Sequence, residues 1–372
     1  MAKSKRKTLP KDFDALLKAG DLAALQAVFD TCEIDARGGY AKGTALAFHD
    51  CPEDLARWLV AHGADLEAKD AYGRTALHNR ASSLFGDVET LLTLGADVHV
   101  QDNNGDTPLH HAAMFANLDA VRRLLERGAR VEALNTAGQT PLEAGLQRCS
   151  NAQIAAMAAA AELLLAAEPP RKQGLGGLFK RAFAGKSGEQ GRVTPQMQAF
   201  VQRISENFEF HRQGFNPDYL EETSAGLDRL YALFDVAPVP RRTMHDGRAP
   251  ILARSARWQD QHQELWEMLV PSRGAASTMQ GEVIRIAGKV ADEIDRNGGA
   301  NWDADYRRMT RAFLAHVGAG APLPEPDQER AAQLVAQVRD LDGAGAGLCE
   351  LAVAWVRLNP TPVPLPAPDY DR

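Results

Sequence analysis

The sequence predicts an all-α protein in two parts, an array of stacked helix pairs and, after a linker, a separate helical bundle. Three observations carry that prediction. A segment recurs every 31 to 33 residues, marked by Thr44, Thr75, Thr107 and Thr140. Within a copy the apolar residues return at helical spacing, as Leu109, Ala112, Ala113, Val121, Leu124 and Leu125 do in the third, which is the stripe a helix buries. Beyond residue 194 the recurrence stops, yet apolar residues keep that spacing and no alternating strand pattern competes with it.

The copies read GTALAFHDCPEDLARWLVAHGAD from Gly43, GRTALHNRASSLFGDVETLLTLGAD from Gly73 and GDTPLHHAAMFANLDAVRRLLERGAR from Gly105, with a shorter GQTPLEAGLQ from Gly138. A unit made of a turn, a short helix, a second helix and a loop cannot bury its apolar stripe alone, so neighbouring copies must stack. Gly63, Gly95 and Gly128 follow the second helix of each copy and are expected in left-handed C-terminal caps, where a Cβ would be strained. Pro108 and Pro141 stand at the first helical position, where a missing N–H is no loss. With T-[AP]-L-H in two copies and L-L-x-x-G-A or a close variant in three, residues 12–168 resemble the ankyrin repeat family.

That resemblance implies a solenoid that grips a protein partner with its hairpin fingertips and the exposed face of each first helix. The matching positions are Tyr40 and Ala41 in the first copy, Tyr72, Arg74, Asn79 and Ser82 in the second, Asn104, Asp106, His111, Met114 and Phe115 in the third, and Thr136 and Gln139 in the fourth. Tyrosine, arginine and methionine are the residue types that anchor interfaces. The first copy departs from the family pattern in carrying Ala47 where histidine is usual, and the second carries Arg80 at a position usually held by a buried alanine. The stem of Arg80 is expected to pack while its head reaches solvent or an acid across the groove. His78 and His110 are expected to serve the turn rather than chemistry.

The flanks are expected to divide as follows. Residues 1–11 form a basic disordered tail, and residues 12–36 make two short helices that cap the array. After Leu142 an alanine-rich helix, capped by Ser150 or Asn151, closes it. Residues 169–193 are a flexible, basic, Gly-rich linker entered through Pro169 and Pro170. The helical bundle spans 194–360, with helices near 252–270, 278–296, 304–317, 327–341 and 346–358. A Pro-rich tail, 361–372, is extended, either solvated or laid across a groove.

Composition sets further bounds. At 45% hydrophobic and 24% charged residues the chain has an ordinary globular composition, and it contains no run of about 18 apolar residues that would span a membrane. Cys32, Cys51, Cys149 and Cys349 are scattered without a C-x-x-C pair, which excludes a cysteine zinc motif and a disulfide framework and fits a reducing cytoplasm. The high Ala, Gly and Arg content suggests a bacterial source. The net charge of -7 is uneven: residues 12–168 carry about -11, and the segments before and after about +5 each. The acidic array repels nucleic acid, leaving only the basic tail and linker to touch phosphate.

In the second part the densest polar passage runs from Ser277 to Tyr306. Ser277 with Gln280 reads as a capping box, and Val283, Ile286, Val290 and Ile294 line one apolar face. Gly281 and Gly288 share a side, where a neighbouring helix is expected to approach closely. Glu282 and Arg285 on this helix, with Asn297, Asn301 and Asp303 at its end, form a candidate polar site. Its structural reading is a helix terminated by glycines, a next helix capped by Asn301 or Asp303, and a corner stapled by Trp302. The motifs H-E-x-x-H, paired E-x-x-H and G-x-S-x-G are absent, and Gly185-Lys186-Ser187 lacks the rest of a phosphate loop. No catalytic residue is assigned, and no cofactor or metal is expected. The function expected is a protein-protein interaction module, an adaptor or inhibitor with an immunity or defence role. The alternative is an enzyme with its site in the helical domain and the repeats recruiting its target.

Overall fold

The computed structural model describes residues 4–167, 193–339 and 343–371, so the linker expected over 169–193 lies, but for its last residue, outside the described residues. The described chain is mostly helical and divides into two compact units, residues 1–208 with 216–239, and residues 209–215 with 240–372.

In the first unit, strand β1 (Arg6–Thr8) pairs in parallel with β2 (Cys32–Gly38), which pairs antiparallel with β3 (Gly43–Thr44). Helices α1 (Phe13–Ala19) and α2 (Leu22–Thr31) lie between β1 and β2 in sequence. The two expected capping helices are therefore present, whereas part of the expected disordered tail is a strand. Lys5 Nζ donates to the Phe29 carbonyl at 2.6 Å, Arg6 Nη2 to Thr31 Oγ1 at 3.0 Å, and Leu9 is buried. The basic residues here close the C-terminal end of α2, where carbonyls lack partners and the helix dipole is negative.

The repeats follow as α3 (Glu53–Ala61), α4 (Ala76–Ala81) with α5 (Val88–Thr93), α6 (Pro108–Met114) with α7 (Leu118–Glu126), and α8 (Pro141–Arg148) with α9 (Ile154–Ala167). In the first copy the opening helix shrinks to a 3-10 turn, Ala45–Ala47. Elsewhere Thr75 and Thr107 form capping boxes with His78 and His110; the methyl of Ala47 has nothing with which to accept the Thr44 N–H. Each box satisfies orphan donors at a helix start, a contribution of about 1 kcal/mol. Gly63, Gly95 and Gly128 have φ of 90°, 99° and 79°, as their cap positions require.

Helices α10 (Pro195–His211) and α11 (Pro217–Phe234) come next. The sequence places the start of the second domain at 194, but these helices stack on the end of the array. Arg229 grips Glu162 of α9 through two hydrogen bonds of 2.8 and 2.7 Å, Arg203 donates to the carbonyl of Gln147, and Gly226 lies so close to α9 that a Cβ would meet Ala155 Cα at 2.6 Å. Only the end of α10, from Glu209, groups with the second unit.

The second unit is built on α13 (Met279–Ala291), packed against α12 (Trp258–Leu269), α14 (Ala304–Val317) and α16 (Ala344–Leu358), with α15 (Glu325–Ala336) against α16. Val283, Ile284, Ile286, Ala287 and Val290 are buried. The close approach expected at the two glycines is present: a Cβ on Gly288 would lie 2.4 Å from the Trp266 ring of α12, and one on Gly281 2.9 Å from the Leu269 carbonyl. The Ser277-Gln280 capping box does not form. Thr278 caps α13 by accepting from the Gly281 N–H, and the Gln280 carboxamide is engaged by the chain after α16.

Candidate protein-interaction surface

Three fingertips are built alike from a short polar residue and a glycine. Asp70 Oδ1 accepts from the amides of Tyr72 and Arg74, Asp102 Oδ1 from Asn104 and Asp106, and Asn135 Oδ1 from Ala137 and Gln139. Gly73, Gly105 and Gly138 complete the turns at positive φ, a conformation that costs glycine nothing. Neighbouring fingers are joined through the backbone: Ala71 N donates to Ala41 O, Asn103 N to Tyr72 O, and Thr136 N to Asn104 O, at 2.9, 3.1 and 2.8 Å.

The helices lock these fingers. Asn79 Nδ2 donates to Asp70 Oδ2 at 3.2 Å, and His111 Nε2 lies 3.0 Å from Asp102 Oδ2, nine residues separating the partners in each case. His111 Nδ1 is 2.9 Å from Ser82 Oγ in the preceding repeat. Burial works against an ionised Asp102, but the bonds from His111 and from the Asn104 and Asp106 amides outweigh it and hold the carboxyl at about 2.

The T-x-L-H histidines act as rivets. His78 Nδ1 accepts from the Thr75 N–H at 3.1 Å, so its Nε2 carries the proton and donates to the Asp106 carbonyl of the next repeat at 3.0 Å. His110 does the same with Thr107 and the Gln139 carbonyl. Burial pushes His78 down to about 4. In the last repeat Glu143 takes this place: one carboxylate oxygen accepts from the Thr140 amide, and the other from Thr194 Oγ1 at the start of α10. Arg80 does not reach solvent as expected; it is fully buried, with Nε donating to Leu46 O and Nη1 to Asp87 O at 3.0 and 2.9 Å.

The expected contact residues fall into two groups. Tyr40 is 93% and Tyr72 42% exposed; the Tyr72 phenol is pushed up, first by its hydrogen bond to Tyr40, and Arg74 lies over the Tyr72 ring at 5.2 Å. Asn104 is exposed beside them in the same row, and Asn79 is half-buried. Asp106, His111, Met114 and Gln139 are buried. Asp106 accepts from Asn135 Nδ2, Met114 meets Arg148, and Gln139 donates to Gln147. Phe115 is exposed, but at the far end of α6 from the fingers.

Exposed Leu84 and Phe85, which the sequence reading passed over, lie in the inter-helix turn beside it, since Asn117 Nδ2 donates to Ser83 O at 2.8 Å. Their signal was two adjacent large apolar residues in a turn with no helical period. Asp102, Asp106 and His111 bring their ligand atoms within 4.8 Å of one another. The hydrogen bonds above engage all three, and Arg74 Nε stands 3.6 Å from Asp102 Oδ2, a charge that would repel a cation.

The candidate polar site of the second unit separates into two clusters. Glu282 and Arg285, 0% and 1% exposed as side chains, pair through bonds of 2.8 and 2.6 Å. Burial pushes the Glu282 carboxyl up, but Arg285, the Tyr370 hydroxyl and the Ala276 amide together hold it below its ordinary value. At the other end of α13, within a π-turn over Asp292–Arg296, buried Glu293 accepts from Asn297 Nδ2, Asn301 Nδ2 and the Asn301 amide at 3.0, 3.2 and 2.6 Å. The eleven residues of helix from Glu282 to Glu293 put the two carboxylates about 16 Å apart along the axis. Asp303 caps α14 by accepting from Asp305 N and Tyr306 N, and Trp302 stacks on Tyr306 at 5.1 Å. Glu293 organises this corner, and the sequence did not single it out.

Paired helices repeated around glycine hairpins, with fingers chained edge to edge, define a repeat solenoid of the protein-binding class. Residues 45–169 are ankyrin repeats: one family model described as ankyrin repeats (3 copies) matches residues 79–169, and another described as ankyrin repeats (many copies) matches residues 45–94. Such repeats are, in general, protein-protein interaction modules. Ankyrin repeat protein nuc-2 of Neurospora crassa is 23% identical over 286 residues, 75% of this chain and 26% of the relative. The chain thus spans about a quarter of that protein's length. Among the described residues no helix is long and apolar enough to cross a membrane.

Proposed function

We propose that the first unit binds a partner protein along its fingertip row, as an adaptor or inhibitor, with Tyr40, Tyr72 and Arg74 as the anchoring cluster. The observation that carries this reading is the exposure of Tyr40 and Tyr72, with half-buried Arg74 over the Tyr72 ring, on fingers already fixed by the backbone bonds between them. A preorganised row spends little conformational entropy on binding, and tyrosine offers large contact area with few rotors. The enzyme alternative gains no support from Glu282 and Arg285, which are buried beneath Tyr370. The relative is fungal and lends nothing to a bacterial source.

The test is affinity capture from the native host, comparing wild type with Tyr40→Ala/Tyr72→Ala and, as a control at the opposite end of the helices, Leu84→Ala/Phe85→Ala. A stoichiometric protein lost only from the tyrosine variant is the expected result. Retention by that variant, with loss from the control, moves the grip to the inter-helix turns and overturns the proposal.

A further inference from the structure

The chain after α16 is docked as a peptide ligand would be. The Gln280 carboxamide, completely buried, reads its backbone at alternate residues: Nε2 donates to the carbonyls of Asn359 and Thr361 at 2.8 and 2.7 Å, and Oε1 accepts from Val363 N at 3.0 Å. Met279 N adds a bond to Val363 O at 2.8 Å, and Ile251 N one to Pro360 O at 2.7 Å. Seven residues past Val363, the Tyr370 ring is buried, with Arg285 5.9 Å from its centre and its hydroxyl donating to Glu282 Oε1 at 2.6 Å. Between these two anchors residues 364–369 are half-buried or exposed, and prolines at 360, 362, 364, 366 and 368, each lacking an N–H, hold the segment extended.

We propose that this groove is a peptide-binding site of the second unit, held closed by the protein's own tail, and that its ligand in trans is an extended, proline-rich segment presenting a tyrosine seven residues after the clamped position. The recognition is divided as in other peptide sites, with backbone bonds for affinity and one pocket for specificity. The tail is suited to release because it is pinned at two points and buries little between them. When Tyr370 leaves, water returns to the Glu282–Arg285 pair and offsets the lost contact, since the cost of burying such a pair lies in its desolvation. A preformed proline-rich ligand loses little entropy on docking.

The test uses the full chain, wild type and Tyr370→Ala, titrated into a fluorescein-labelled peptide of the sequence Asn359 to Asp371. The Tyr370→Ala chain is expected to bind about tenfold tighter than wild type, and the same peptide with alanine for its tyrosine to bind that chain about tenfold weaker. Equal binding by the two chains, or by the two peptides, overturns the proposal. Concentration-dependent dimerisation of wild type assigns the groove to the tail of a second copy and overturns it also. If Tyr370→Ala fails to fold, hydrogen exchange of wild type decides the matter: saturating peptide should speed amide exchange of Val363 about threefold over the alanine peptide, and an unchanged rate sinks the idea.

Discussion

Tyr370 and Glu282, 88 residues apart in sequence, are joined by a 2.6 Å hydrogen bond that closes the buried face of α13. Glu282 also takes the Ala276 amide and two nitrogens of Arg285, so both of its carboxylate oxygens are engaged. Loss of one such bond to a charged acceptor costs about 1.5–3 kcal/mol. Tyr370→Phe, which keeps the ring, should lower the unfolding free energy of the second unit by that amount, read as a lower urea midpoint at unchanged slope, and an unchanged midpoint would show that water replaces the phenol without loss.

Gly288→Ala places two effects in opposition. Alanine gains about 1 kcal/mol of helix propensity over glycine, but its methyl would sit 2.4 Å from the Trp266 ring and 3.3 Å from the His262 ring. Overpacking of this kind costs about 1–3 kcal/mol, and the indole has no free end to swing away. Net destabilisation is expected, with altered Trp266 fluorescence. A stabilised variant would mean that α12 can slide.

Acid should weaken the first unit in two stages. His78 is pushed down to about 4 in the fold, so as pH falls below about 6.5 the unfolded chain takes up a proton that the folded one refuses, and stability is lost until about pH 4. The full span is about 3 kcal/mol. Asp102, held at about 2, adds a second loss below about pH 4 as its carboxylate is protonated. Urea midpoints measured from pH 7 to pH 4 should fall steadily, and His78→Gln, which cannot titrate, should flatten the slope while lowering the plateau.

Glu143→Ala removes the capping box at Thr140 and the link to Thr194 together. A loss of about 1–3 kcal/mol is expected. Its distinctive sign is faster amide hydrogen exchange in α10 and α11, with the exchange of α4 and α5 unchanged. Uniform acceleration through the array would mean that α10 and α11 are not a separately released layer.

Much of this architecture was legible because repetition multiplies weak local signals. Thr75, Thr107 and Thr140 each start a helix, and Gly63, Gly95 and Gly128 each end one, as chain position alone required. The boundary at 194 was misplaced because α10 and α11 carry no T-x-L-H, although Thr194-Pro195 repeats the Thr-Pro start of α6 and α8 and was the available clue. Strand β1 was illegible since its three residues are polar or charged and it pairs with a segment that begins 26 residues away.

The candidate polar site failed for a related reason. Glu282 and Asn297 are close in sequence and both polar, but a helix separates them, and the partner that completes Glu282 comes from the far end of the unit. Likewise His111 and Asp106 match contact positions of the family, yet here their side chains are spent on Asp102 and Asn135. Sequence shows which residue types are present, whereas the fold decides which are still available.

The chained fingers also bear on how the surface can change over generations. Because Ala71, Asn103 and Thr136 reach the preceding finger through backbone atoms, and the clamping Asp70, Asp102 and Asn135 lie at the base of each turn, the tips at Tyr40–Ala41, Tyr72 and Asn104 contribute backbone groups and chain geometry to the scaffold. Their side chains are free to drift. What is recognised can therefore be rewritten one finger at a time, at little cost to the framework that sets where recognition happens.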